Sequence, residues 1–543
     1  MRAPALAAGL LLLLALGACQ VDAGSVVKQA TKEPGHGGTV VEALVGDVAT
    51  LNPLFQPDDN ARDVDSLIYQ GLTTIGVSQE VQPLLARSWS VSADALTYTV
   101  EVRGDLAWSD GKPFTAADVV FTFKTLQDPS YRQLQPGARF WTDVRVALVD
   151  STHVRFTLMA PSASFPLALR AGILPEHVFA GMPAQAMATD PRSGAQAVGM
   201  GPFVPESMTD DHRVVTLKRN PYAKPQPRLD HVVFRSYQTL GEALSAVSNG
   251  EADAVGGVQP PQLELLAKRP DLHILEARTF SVAAALFSLS PDQAVYFSPP
   301  SVRQALNQAV DRSRIIESVL HGHADAGPGP IAPSDWAYSA KASGGYPYDP
   351  RAAAAALDRA GWSLDPGKGV RMRAGREFSV RLVAADAYPY QDVAELIAQQ
   401  LKEVGVSVQV DPVPAAMMVD VLLGKRYQIA LAAFDNGSDP DQFSLWHSGA
   451  PVNSLNFAGL PRQALIDKDL EDGRTFSDRA SRLSAYADFQ QLMGDAAPAI
   501  FLYEPHYAYV VSRRVQGVRL NGVLEASDRF QFITDWYVTT KGV

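Results

Sequence analysis

Among 543 residues there is a single cysteine, Cys19, so no disulfide can form within the chain. Positive charge is not in excess: 47 Lys and Arg stand against 58 Asp and Glu, a net charge of −11. With no basic run to neutralise phosphates, nucleic acid is excluded as a partner. Beyond residue 18 no apolar stretch reaches the ~20 residues needed to span a bilayer. Common catalytic signatures are also missing. There is no G-x-S-x-G elbow and no P-loop, and Gly199-Met200-Gly201 lacks the third glycine of a dinucleotide-binding turn. No H-E-x-x-H or cysteine pair occurs, so His321-Gly322-His323 reads as a solvated loop, with a metal site as the minor alternative, and no metal or cofactor is expected. Only paired carboxylates of the glycosidase kind are left open, because 58 acidic residues offer many pairs. A cleft hydrolase is therefore kept as an alternative class, and an enzyme is otherwise not expected.

What is present is an ordinary globular composition, 46% hydrophobic and 19% charged, in a chain too long for one core. Two or three domains are expected. At the N-terminus, Arg2 precedes an apolar run (residues 4–18) of Ala, Leu, Gly and Pro only, ending Leu16-Gly17-Ala18-Cys19. That run is too short for an anchor helix. It resembles a bacterial lipoprotein signal, which implies removal of residues 1–18 and a lipid on Cys19; a plain secretory signal is the alternative. The protein is then exported and tethered outside the cytoplasmic membrane or in the periplasm. Residues 19–37 are polar and aperiodic, a flexible tether.

Beyond the tether, Gly38–Val45 is an apolar run expected to be a buried strand, followed by a turn-rich loop from Gly46 to Asn60. Thr115 and Asp118 form a near capping box ahead of a helix through Leu126, and strands are expected at Leu96–Val102 and His153–Leu158. A helix, a stopping glycine and a strand recur twice: Glu242–Asn249, Gly250 and Ala252–Val255, then Met417–Leu423, Gly424 and Tyr427–Phe434. Glycine past a helix end supplies a left-handed C-cap, and the repeat suggests two α/β lobes. Phe378–Ala385, a helix carrying Val393, Leu396, Ile397, Leu401 and Val404, then Gly405 and Val406–Val410 read as a βαβ unit. A further helix is expected from Ser301, with Gln304 completing its capping box.

An ordered set of segments then identifies a resemblance. TLNPLF (Thr50–Phe55), IYQGL, WSDGKPFTAADVVFTF (Trp108–Phe123), ILPEHVF, GMGPF, LKRNPYAKPQPRLDHVVFR, SVRQALNQAVDRSRII, YDPRAAAAALDRAGW, DPDQFSLWHS and DAAPAIFLYEP follow one another. Together they resemble the family 5 extracellular solute-binding proteins, the oligopeptide-, dipeptide- and nickel-binding type of ABC transporters. The resemblance implies an α/β, two-lobed periplasmic-binding-protein-like clamp (cluster C type) with an extra α/β subdomain inserted in the first lobe. Lobe I would comprise 38–69, 199–283 and 506–543, the insertion 70–198, and lobe II 284–505. Crossing segments near Thr279–Leu289 and Pro498–Tyr507 would form the hinge. A monomer is implied that captures peptides between the lobes and hands them to a permease and ATPase complex. The alternatives are a non-peptide ligand on the same fold (a metal complex, a sugar or an opine-like solute) and a chaperone-like peptide-sequestering surface protein.

Asp435-Asn436-Gly437-Ser438-Asp439-Pro440-Asp441 puts three carboxylates just past an apolar strand. It is either a solvated turn or a cation site, since open α/β sheets bind ligands beyond the carboxyl ends of strands. The resemblance implies an aspartate here that holds the ligand's α-amino group. The family's spacing to the proline is one residue shorter than Asp435 to Pro440, which leaves Asp435 and Asp439 as candidates with Asn436 in the expected column; Asp435 is preferred. Phe434 and Asn436 flank it, and Asn52, Leu54 and Phe55 are expected on a facing loop. Trp141, Tyr388 and Trp446 are either apolar walls of the site or core. By contrast Trp108–Phe114, with Asp110 and Gly111, reads as a structural turn.

Overall fold

The computed structural model describes residues 35–56, 58–134, 136–342, 345–450 and 460–539. The expected signal peptide, Cys19 and the tether up to residue 34 lie outside the described residues.

The apolar run after the tether is strand β1 (Thr39–Val45). Val40 and Leu44 enter one hydrophobic core and Ala43 another. Burial on both faces explains why the run is continuous instead of alternating. Helix α1 (Asp59–Ile68) follows, capped by the Asp58 carboxylate accepting from Ala61 N at 2.9 Å. Next come β2 (Ala86–Val91), β3 (Thr97–Val102), α2 (Ala116–Gln127), β4 (Val144–Leu148) and β5 (His153–Leu158). These four strands form a separate antiparallel sheet in the order β2-β3-β5-β4. The capping box of α2 is present, with Thr115 and Asp118 satisfying each other's backbone N–H groups. The Trp108–Phe114 segment is a turn, with Asp110 accepting from Lys112 N at 3.1 Å and Gly111 at φ 86°.

Strands β6 (Phe203–Met208), β7 (Val214–Arg219) and β8 (His231–Tyr237) return to the first sheet, where β8 pairs in parallel with β1 from Thr39↔His231 to Val45↔Tyr237. Between β5 and β6 the Gly199-Met200-Gly201 segment lies against the end of α1, with Gly201 N donating to Ile68 O at 2.7 Å. A Cβ on Gly201 would stand 2.2 Å from Leu67 O, so close backbone approach demands glycine there. Helix α3 (Leu240–Asn249) and β9 (Ala254–Gly256) form the first helix-glycine-strand unit. Gly250 is left-handed at φ 77°, and Glu251 N bonds back to Ala246 O, a Schellman closure.

Strands β10 (Leu272–Arg278) and β11 (Ser281–Phe287) are joined by only Thr279 and Phe280. Helix α4 (Pro300–Gln308) begins one residue earlier than expected, with Pro299 at the N-cap and no side-chain cap. Proline presets the first-turn φ, and Gln304 donates instead to Asp495 O at 2.9 Å, so the expected capping box is absent. The βαβ unit is β12 (Ser379–Ala385), α5 (Tyr390–Glu403) and β13 (Ser407–Val413), its two strands parallel along their whole length. Val393, Ile397 and Leu401 of α5 are completely buried, each contributing about 1.5–3 kcal/mol of apolar burial. Helix α6 (Met418–Leu423) and β14 (Ile429–Asp435) form the second helix-glycine-strand unit. Its left-handed residue is not Gly424, at φ −75°, but Lys425, at φ 50°. The helix runs one residue further, and the Schellman bonds are Lys425 N to Leu422 O and Arg426 N to Val421 O.

The last long strand, β15 (Ala499–Ser512), joins everything. Its first residues pair with β11 and its last seven with β10, both antiparallel. The main path through this twelve-stranded sheet is β13-β12-β14-β11-β15-β9-β1-β8-β7-β6, with β10 and the short strand Ala324–Ala326 paired to β15 off that path. Two half-sheets therefore share one continuous strand, with the Thr279-Phe280 crossing beside its midpoint. Side chains of β11 alternate between two cores: Ala283, Ala285 and Phe287 in one, Val282, Ala284 and Leu286 in the other. The four-stranded sheet instead shares one core with β1 and β8, where Val100, Phe156, Val40 and Phe234 pack together.

Candidate functional site

A cavity of about 740 Å³ opens where β14 ends beside the crossing. From this side it is lined by Asp435, Gly437 and Phe280; from the other by α1, by residues 69–75 and 167–172, and by the segment 521–534. Among the described residues, hydrogen bonds join residues 70–198 to residues 284–505: Gln79 Nε2 to Ser334 O at 2.8 Å, Ala163 N to Arg474 O at 2.8 Å and Ser164 Oγ to Asp441 at 3.5 Å.

Asp435 is placed by strand register. Opposite it on β11 is Ser281, whose hydroxyl donates to Asp435 Oδ1. The carboxylate is exposed at the cavity and makes no ion pair among the described residues. The chain then turns inward. Asn436 is buried, its backbone N–H donating to Phe280 O at 3.1 Å and its amide to Pro330 O at 2.9 Å. Gly437, at φ 71°, reverses the direction. Asp439 accepts from Arg482 Nη2 at 2.6 Å and Asp441 from Arg474 Nε at 2.8 Å. Two of the three carboxylates in this turn are thus neutralised by arginines from later in the chain, and Asp435 alone faces the cavity.

The facing loop is oriented differently from expectation. Asn52 is fully buried, donating to Ser193 Oγ at 2.8 Å and accepting from Leu54 N at 3.1 Å. Leu54 and Phe55 are core residues, Phe55 packing edge-to-face on Tyr131 at 5.3 Å. Pro53 and Gln56 line the cavity in their place. Burying a leucine and a phenylalanine is worth more than lining a polar cavity with them. Of the three distant aromatics, Trp141 and Trp446 are core and Tyr388 is half-buried against a core. Trp141 packs on Phe123 at 4.6 Å. Tyr388 donates to Val319 O at 2.7 Å, and burial with Asp392 nearby pushes its phenol up to about 12. Trp446 is buried between Phe434 and Phe501. Phe434 is half-buried against that core, so Phe280 is the aromatic that reaches the cavity from this side.

Sequence reasoning missed the opposite wall. Arg170 pairs with Asp528 at 2.7 Å, and both line the cavity. Beneath it, Arg529 reaches Glu42 Oε1 at 3.0 Å and both Asp63 oxygens at 2.7 and 2.5 Å, while Tyr509 donates to Glu42 Oε2 at 2.7 Å. All four are buried. This network ties the C-terminal segment to β1 and α1. On the same helix Asp65 also lines the cavity, and burial holds its carboxyl well above the ordinary carboxylate range. The available signal was an acid in the stripe Ala61, Val64, Asp65, Ile68, where an amphipathic helix buries apolar residues.

His321 and His323 are held by carboxylates, Glu264 at 2.8 Å and Glu276 at 2.5 Å. Among the described residues no group of three or more His, Cys, Asp or Glu side chains could hold a metal ion, and no helix is long and apolar enough to cross a membrane.

The profile of the family described as bacterial extracellular solute-binding proteins, family 5 middle, matches residues 80–456. The oligopeptide-binding protein AppA of Bacillus subtilis is 24% identical over 518 residues, 94% of each protein. The structure of AppA in complex with a nonapeptide aligns with a TM-score of 0.73 at 23% identity, over 94% of this chain and 100% of that one. NikZ from Campylobacter jejuni, in complex with Ni(L-His), aligns with a TM-score of 0.75 at 23% identity, over 92% of this chain and 99% of that one. The two-lobed α/β binding-protein fold is the fold of this chain.

Proposed function

The chain belongs to the bacterial extracellular solute-binding proteins of family 5, and from that premise we propose that it captures peptides in the cavity beside Asp435 for delivery to an ABC permease. The observation that carries this reading is the carboxylate of Asp435. It stands at the end of a strand, faces the 740 Å³ cavity and among the described residues has a serine hydroxyl as its side-chain partner and no ion pair, whereas Asp439 and Asp441 are each paired with an arginine. Volumes of roughly 300–1,000 Å³ suit small ligands held with most of their surface buried. An α-amino group meeting Asp435 forms a charge-assisted hydrogen bond, which strengthens as the cleft excludes water. The names of similar proteins, oligopeptide- and di/tripeptide-binding, support a peptide. In this reading the protein is a monomer that binds without catalysis and is held to the membrane by a lipid on Cys19.

Calorimetry on a double cycle tests the contact. Asp435→Ala costs about 2–5 kcal/mol of peptide affinity, the range for removing one partner of a desolvated charge pair. Acetylating the peptide's amino group weakens binding to the wild type by a similar amount and adds little in the variant. Additive penalties refute the contact, and a protein that binds an amine-free solute but no peptide refutes the ligand class.

A further inference from the structure

Helix α1 carries two buried acids in very different circumstances. Asp63 has both oxygens on the Arg529 guanidinium. Asp65, two residues on, is 1% exposed and lines the cavity. Its Oδ2 accepts from Gln56 Nε2 at 3.0 Å, and its Oδ1 has no hydrogen-bond partner among the described residues. No arginine, lysine or histidine is paired with it there. Its charged neighbour is another acid, Asp58, and the phenol of Tyr69 is close by. A buried carboxyl with neither a counterion nor a full set of hydrogen bonds is costly to keep. One that stands in a cavity wall is completed when a ligand supplies the missing group.

The remaining charges of the wall say which group that is. Arg170 is paired with Asp528 and Arg62 with Asp59. Asp435 and Glu525 have no ion pair among the described residues, so the unbalanced charge around the cavity is negative. Gln56, also in the lining, covers Asp65 and is the group that an incoming nitrogen displaces.

We propose that Asp65 is a second recognition point, specific for a cationic side chain, so that the ligands this cavity selects are peptides bearing a lysine-like amine in addition to the α-amino group. The proposal rests on the peptide reading above. Burial raises the pKa of the Asp65 carboxyl and so favours its protonated form. A side-chain ammonium arriving beside it favours the carboxylate, and any proton held there leaves to solvent, so binding is linked to proton release.

The test uses the full chain stripped of ligand and tetra-alanine peptides carrying lysine or norleucine at each position in turn. At one position lysine binds about tenfold or more tightly than norleucine, the size of a hydrogen bond to a charged group. Calorimetry in buffers of different ionisation enthalpy shows proton release with the lysine peptide and none with norleucine. Asp65→Asn abolishes both the preference for lysine over norleucine and the proton release. Equal affinities at every position in the wild type overturn the proposal alone, and need no variant to fold. So does a lysine preference that survives Asp65→Asn. If no peptide of either series binds, the peptide reading itself fails and this proposal falls with it.

Discussion

Asp335 makes the stability of this protein depend on pH in a direction opposite to that of most carboxylates. It is buried, with Oδ1 accepting from Ala337 N at 2.7 Å and Oδ2 without a partner among the described residues. Burial, with Asp439 and Glu504 adding to it, pushes the carboxyl up to about 7, against opposing pulls from the Ala337 N–H and Arg482. Below pH ~4 both the folded and the unfolded chain hold the proton. Between pH ~4 and ~7 the unfolded chain releases it and the folded chain keeps it. Stability from this group therefore falls as pH rises across that window and levels off above it. The interval from 3.8 to about 7, at about 1.4 kcal/mol for each tenfold change in proton affinity, sets a ceiling of about 4 kcal/mol. Asp335→Asn keeps the acceptor for Ala337 N and cannot ionise. Urea unfolding of both proteins from pH 4 to pH 8 reads the difference. The variant gains on the wild type by up to about 4 kcal/mol between pH 4 and pH 7, and any constant offset from the new amide drops out of that slope. Parallel curves refute the reasoning, because they mean that Asp335 titrates alike in the folded and unfolded chains.

Replacing Arg529 by methionine leaves Glu42 and Asp63 buried without a cation and lowers stability by about 3–5 kcal/mol. Adding Glu42→Gln and Asp63→Asn recovers much of that loss, and thermal unfolding of the two proteins checks it. Cys19→Ala moves the protein from the membrane fraction to the soluble fraction; continued membrane association of that variant refutes the lipid anchor.

Local physics was legible in the sequence wherever one stretch of chain holds both halves of an interaction. The capping box of Thr115 and Asp118, the buried run of β1, the βαβ unit from Ser379 to Val413 and the left-handed Gly250 all depend on residues within a few positions of one another. Even there a competing local option won twice: Pro299-Pro300 started α4 without a capping box, and Lys425 took the left-handed turn that Gly424 left unused. The ordered motifs identified the family and the fold, and the acidic turn after an apolar strand pointed to the cavity. Only the tertiary structure decided which acid in that turn has no ion pair among the described residues. Asp439 and Asp441 are neutralised by Arg482 and Arg474, 43 and 33 residues away in sequence, and no periodicity encodes that pairing. The same holds for the loop of Asn52, Leu54 and Phe55, whose apolar side chains were drawn into the core and left Pro53 and Gln56 at the cavity. Asp63 and Asp65 are the same residue type on one helix, yet the first meets Arg529, 466 residues on, and the second lies buried in the cavity wall against Gln56. The role of a buried charge is set by what the rest of the chain brings to it, because in a low-dielectric interior the nearest counterion or its absence dominates the energy.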